Sequence, residues 1–415
     1  MTEGRPSRFP AWARRLGIAG IITLATLSLG EMEVRWTGLD LRMLRSGLKY
    51  NTMDLPSYRR SDDPFLRYEL APGTANRYEA YRVDGHFDHR TYGVTVGPFG
   101  EREPSHPLEK GPGVFRIALF GASSSYGSGV SDDETLPAAL ERRLNRMARD
   151  SGEPGLPTFE VLNFAAGAYQ ESQMARRACR VLDQRRPDLV LVQANVQERR
   201  AFLGSQEAIE AIDLPTLLDD PDSVQENFPA PWVPEAVHQV LLRASGLYRV
   251  WIGLVRSRCP SCDHVDRRGH AAGRRLNRRE MERLAEEAGR RHVPVHVFGI
   301  PLPTTETRTG RGSLAPLLDQ QKHAGLPGVT ANQLVVSGAD PVATRVHPPA
   351  WALEEWAADL ADDLCLLKKV PLRAHPPIPP GTAPVPPGRD REGAAGTGRT
   401  PPGPGQGRFA TTSRV

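Results

Sequence analysis

Between residues 114 and 367, short apolar runs alternate with amphipathic segments. Val114–Phe120 (VFRIALF) is a dense apolar run that stops at Gly121, the pattern of a buried strand. Asp132 and Asp133 then precede Leu136, Leu140, Leu144 and Met147, which recur at helical spacing. Phe159–Leu162, Leu189–Val192 and Val293–Ile300 read as further strands, and Gln333–Val336 as a short fifth. Helical patterns cover Met174–Leu182, Leu276–Arg291 and Trp351–Leu367. Strands alternating with helices of about 10–15 residues predict an α/β fold, doubly wound in three layers (α/β/α) around a mostly parallel five-stranded sheet. In such sheets ligands bind beyond the carboxyl ends of the strands, so the loops there are where chemistry is expected.

Four segments break the alternation. Arg5, Arg8, Arg14 and Arg15 precede an uncharged stretch from Leu16 to Gly30. Basic residues ahead of a lone apolar run are the grammar of a signal peptide or signal anchor over residues 1–30. Its uncharged centre is shorter than the roughly 20 residues a spanning helix needs. Ser28 and Gly30 fit a cut after Gly30. Residues 31–113 mix Pro, Tyr and Arg and read as an N-terminal extension packing on the core domain, 114–370. Residues 199–275 form an insertion with helices around Pro234–Leu254, a candidate lid. Residues 371–415 are rich in Pro and Gly and poor in large apolar side chains, the composition of a disordered tail.

Composition narrows the function little. A net charge of +4 from 53 basic and 49 acidic residues gives no sign of a nucleic-acid partner. The basic residues are almost all Arg, which reads as composition bias. Four cysteines are too few for a disulfide scaffold.

The loop after the first strand reads Gly121-Ala122-Ser123-Ser124-Ser125-Tyr126-Gly127-Ser128-Gly129. It lacks the Lys of a P-loop, and Ser125 occupies the last Gly position of a G-x-S-x-G elbow. Alone, it is equally well a flexible Ser-rich turn. Its surroundings change that. VFRIALFGASSSYGSGVSDDETLPAALERRL resembles the first block of the SGNH/GDSL hydrolase family. VLNFAAGAYQESQ at 161–173, PDLVLVQANVQE at 187–198 and TRVHPPAW at 344–351 resemble that family's second, third and fifth blocks, in order. The upstream DPFLRYELAPGT and VGPFGERE are similar to the leader of membrane-anchored bacterial members.

The resemblance implies a serine esterase or O-acyltransferase. Ser123 matches the family's nucleophile and His347 its general base, since a serine hydroxyl attacks only once a base takes its proton. The oxyanion donors would come from Ser123, from Ala168 with Gly167 beside it, and from Gln197. The departures are as informative as the matches. Ala122 replaces the usual Asp of block one, Gln197 replaces Asn, and Thr344 stands at the family's acid position before His347. A Thr hydroxyl can accept from imidazole but brings no charge, and losing the acid in serine proteases costs about 10⁴ in turnover. Asp340 is the candidate substitute. The resemblance implies no cofactor and no metal. It makes the expected partner an acylated small molecule, glycan or lipid of the cell envelope. The leader adds a membrane contact through the N-terminus, with the protein exported to the periplasm or extracytoplasmic face and anchored to the inner membrane. The alternative is a weakened SGNH-fold protein that binds an envelope ligand or partner without turnover. A nucleotide-binding flavodoxin-like module is disfavoured by the missing P-loop Lys and by His347.

Weaker signals read as structural. Cys259-Pro-Ser-Cys262 with His264 and His270 departs from zinc spacings and fits a local disulfide better. Asp84, His86, Asp88 and His89 read as a solvated turn. Cys179 and Cys365 fall on helices as buried thiols, and Arg267–Arg279 as a solvated helix face.

Overall fold

The computed structural model describes residues 11–80, 90–103, 106–194, 199–258, 263–300, 326–333 and 347–372. The Pro/Gly tail from 373, the Asp84–His89 cluster and Cys259 and Cys262 lie outside the described residues.

Five strands make one parallel sheet: β1 (Val114–Phe120), β2 (Thr158–Asn163), β3 (Leu189–Ala194), β4 (Val295–Gly299) and β5 (Val329–Gln333). Their spatial order is β5-β4-β3-β1-β2. The apolar runs are continuous rather than alternating because helices cover both faces of the sheet. Ile117 to Phe120 and Leu189 to Val192 are all fully buried. The fifth strand starts earlier than the Gln333–Val336 reading. Gly328, at φ +76°, turns the chain directly into Val329, which pairs with Val295. Residues 334–336 lie outside the described ones.

Four helices cover the sheet. Leu136–Ser151 buries Leu136, Leu140, Leu144 and Met147 and packs along Ala350–Leu366. Thr135 caps its start by accepting from the Ala138 N–H, and Gly152, at φ 65°, ends it. Glu171–Arg185 packs along Asp263–Arg290. Right-handed crossovers put these two pairs on opposite faces, so the sheet is doubly wound.

The segment before β1 folds against this core. Tyr58, Tyr68, Leu70, Tyr92 and Val94 bury themselves in the same apolar cluster as β1 and β2. The insertion instead shares a second, smaller core with residues 44–48, built from Leu44, Leu48, Phe202, Leu218, Phe228, Leu242 and Ile252. A buried ionic cluster ties the insertion to the N-terminal segment. The fully buried Glu226 carboxylate lies 2.8 Å from both Arg67 and Arg200. Arg200 stacks over Phe65 and Arg67 over Phe202. Burial alone raises the Glu226 pKa, but the two guanidiniums hold it below the usual carboxylate range.

The N-terminal helix runs from Ala11 to Trp36. Trp12–Trp36 has a mean hydropathy of 1.3 with only 6% of its apolar window buried. Twenty-five residues rise about 37 Å, more than the hydrocarbon core of about 30 Å. Continuing past the uncharged centre thus makes the helix long enough to cross a membrane.

Glu226→Gln leaves two buried guanidiniums with no charge opposite them. It is expected to lower stability by about 3–5 kcal/mol. Arg279→Ala, which breaks an exposed bridge to Asp222, is expected to cost under about 1 kcal/mol. Denaturant unfolding of the two variants beside the parent checks the contrast.

Candidate active site

The order β2-β1-β3 reverses the chain's direction of travel across the sheet at β1, so the crevice beyond the carboxyl ends of β1 and β3 is the topological switch point. The Ser-rich loop sits there. Ser123–Tyr126 is a single helical turn starting three residues after β1. Ser124 and Ser125 are buried, whereas Ser123 is partly exposed. Of the three consecutive hydroxyls, Ser123 is thus the one that can meet a ligand.

Two contacts fix the turn. Gln193, buried at the end of β3, accepts from the Ser125 hydroxyl at 2.6 Å and from the Ala122 N–H at 3.1 Å. A Cβ on residue 121 would stand 2.5 Å from the Ser125 Cβ and 2.7 Å from the Gln193 Oε1, so only glycine fits. On the far side, the fully buried Arg102 donates to the carbonyls of Tyr126, Gly127, Val130 and Gly93 and pairs with Asp132 at 2.8 Å. Three of these carbonyls lie at or just past the end of the short helix, where intrahelical partners run out. Gln193 and Arg102 went unnoticed in the sequence. A polar side chain closing the apolar run LVLVQA was the available signal for Gln193; for Arg102 it was its place in the VGPFGERE motif.

The loop after β2 holds Gly167 and Ala168. The Gly167 N–H donates to the Tyr58 hydroxyl at 2.7 Å, and its carbonyl accepts from Asn51 at 3.2 Å and Tyr68 at 2.5 Å. Burial pushes the Tyr58 and Tyr68 phenols well above their ordinary values, so both stay protonated. With its N–H occupied, Gly167 is a holding point. Ala168, next along, is partly exposed and left-handed at φ +58°. A non-glycine residue there costs on the order of 1 kcal/mol and persists only where its surroundings impose it.

His347 immediately precedes Pro348, Pro349 and the Ala350–Leu366 helix. Arg142 donates both to the Asp133 carbonyl and to Glu354, at the start of the second turn of that helix. The start of the last helix is thereby held beside the turn that follows the Ser123 loop, at the same edge of the sheet. Burial lowers the His347 pKa below the ordinary 6.5, so the imidazole is neutral at pH 7, the form that accepts a proton. Asp340, Thr344 and Gln197 lie outside the described residues.

Among the described residues, no group of His, Cys, Asp and Glu is arranged to hold a metal. Cys179 and Cys365 are free, and burial pushes both thiols up to about 11, away from the reactive thiolate. Arg274, Arg275, Arg278 and Arg279 of the basic run face solvent.

No family model and no curated protein matches this chain. Solved structures similar to it include the psychrotrophic esterase EstA from Pseudoalteromonas sp., at 10% identity and a TM-score of 0.31, covering 61% of this chain and 98% of that one. A GDSL-like lipase from Bacteroides thetaiotaomicron is similar at 11% identity and a TM-score of 0.29, covering 60% and 87%. A family 3 carbohydrate esterase from Clostridium thermocellum is similar at 12% identity and a TM-score of 0.28, covering 60% and 93%. The fold assignment rests on the strand order and on where the four sequence blocks fall around the sheet, rather than on these overlays. Block one starts on β1 and runs through the Ser-rich loop into the next helix, block two starts on β2 and runs into the Glu171–Arg185 helix, block three lies on β3 and runs past its end, and the His-Pro block leads into the last helix. The chain thus has a doubly wound parallel α/β/α fold, with the four blocks placed around its sheet as the resemblance to SGNH/GDSL hydrolases implies.

Proposed function

We propose that the protein is a serine esterase or O-acyltransferase acting on an acyl ester of a cell-envelope glycan or lipid. What supports this reading is Ser123, partly exposed at the switch point, in a loop whose following turn Arg142 ties to the last helix, which His347 precedes. In the proposed reaction, His347 takes the Ser123 proton as the oxygen attacks the acyl carbonyl. The backbone N–H groups of Ser123 and Ala168 and the amide of Gln197 stabilise the oxyanion. Collapse expels the alcohol, which takes the proton from His347, and leaves a Ser123 ester. Water or a sugar hydroxyl then releases the acyl group by the same steps in reverse. The N-terminal helix supports an uncleaved anchor that holds the domain on the extracytoplasmic side. The Glu31 carboxylate, just past the cut expected after Gly30, accepts from the Ser245 hydroxyl and from the Gly246 and Leu247 N–H groups. The helix and the insertion are thereby joined.

The second reading, a binding protein that retains the fold, is favoured by Thr344. Without a carboxylate the imidazolium formed during attack has no countercharge.

Three outcomes test the proposal. With short-chain acyl ester substrates, Ser123→Ala and His347→Ala are each expected to lose at least about 10³-fold in kcat. Because neutral His347 is the base, kcat/KM should rise with pH and reach half its plateau below pH 6.5. Thr344→Asp should raise kcat roughly tenfold or more. An inactive parent that gains turnover from Thr344→Asp supports the binding reading. No turnover in either, with the fold intact, contradicts the enzyme.

A further inference from the structure

The insertion exposes an apolar face that its own core does not use. Trp232 and Trp251 meet edge to face at 5.4 Å and remain 46% and 42% exposed. Tyr248 packs on Trp251 at 5.4 Å. Val237 and Val240, one turn apart on the Glu235–Ala244 helix, are also exposed. Two exposed indoles packed edge to face are not what ordinary solvated helix faces carry.

Its position says what covers it. The Gly246–Arg258 helix, which carries Trp251, begins against the end of the N-terminal helix. A Cβ on Gly30 would lie 3.7 Å from Leu247, and one on Gly246 would lie 2.8 Å from Val34. Glu31 receives the first N–H groups of that helix at 2.6 and 3.1 Å. The buried Asp40–Arg249 pair, at 2.6 Å, ties the same helix to the Leu39–Ser46 helix that follows the anchor. The two helices are therefore fastened together where the membrane-length helix ends. Trp251 is one turn beyond Leu247, a rise of about 6 Å. The polar layer on each side of the hydrocarbon core is about 5–7 Å thick. Trp36, the last residue of the N-terminal helix, is 93% exposed. Tryptophans gather at that depth because the ring is apolar and its N–H is not.

We propose that the Trp232–Trp251 face is a docking surface seated in the headgroup–acyl boundary of the bilayer that the Ala11–Trp36 helix crosses. It rests on the anchor reading above and adds a second point of membrane contact. One helix alone lets a domain swivel about its axis. A helix plus an adjoining aromatic face fixes the domain's tilt and distance, and so presents the site to ester groups lying at the membrane surface.

The test uses full-length protein in lipid nanodiscs, with and without phosphatidylcholine brominated near the head of its acyl chains, a short-range quencher of indole emission. Trp12→Phe/Trp36→Phe removes the indoles at the ends of the anchor. In that background bromolipid should still quench, and adding Trp232→Phe and Trp251→Phe should remove most of the quenching. Near-ultraviolet circular dichroism checks that the Phe variants keep their packing. No quenching in the Trp12→Phe/Trp36→Phe background overturns the proposal. So does shielding of Trp232 and Trp251 from aqueous iodide without bromolipid quenching, since that assigns the face to a protein partner. The converse variant, Trp232→Phe/Trp251→Phe with Trp12 and Trp36 retained, separates the two readings. If its remaining indoles are also unquenched, the anchor itself is wrong. If they are quenched, only the docking surface is.

Discussion

The carboxyl edge of the sheet depends on one buried cation. Arg102 enters from the N-terminal segment, is fully buried, and supplies donors to four carbonyls and to Asp132. A tight turn leaving a central strand strands its carbonyls in the interior, and an unmet buried carbonyl costs roughly 1–3 kcal/mol. One planar guanidinium serves several at once, as a lysine cannot. The extension before β1 is therefore a structural part of the site. The same holds at the next loop, where Tyr58, Tyr68 and Asn51 grip both ends of the Gly167 peptide.

Rigidity at this edge serves the proposed chemistry. Gln193 couples the ends of β1 and β3 through Ser125 and Ala122, so the turn bearing Ser123 is held from both flanks. Preorganised donors stabilise a developing oxyanion only if they need not move to reach it. Ala168 is held left-handed by a neighbour whose own N–H and carbonyl are both engaged. The departures at 344 and 197 bear on how strongly the base and the oxyanion are supported, while the turn that presents Ser123 does not depend on them.

The sheet was largely legible in the chain. Val114–Phe120 was read residue for residue, because a strand covered on both faces must be apolar throughout and Gly121 ends it sharply. The fifth strand starts ahead of the more apolar QLVV run because its pairing with β4 begins at the Gly328 turn. Ser123 and His347 were legible only through their motif context. Their supports were not. Tyr58 meets Gly167 across 109 residues of sequence, and no local pattern reports a contact that distant. Arginine-rich composition, read as bias, conceals Arg102, Arg116 and Arg185, each almost wholly buried with a partner at 2.8–2.9 Å.

The proposed chemistry requires Ser123 to be the one activated hydroxyl in a loop that holds three in a row. Peptide mapping by mass spectrometry after treating the full-length protein with a fluorophosphonate tests it most directly. One phosphonyl group per chain is expected, on Ser123, with none on Ser124 or Ser125. An adduct on either neighbour, or a folded protein that takes up no reagent, would contradict it.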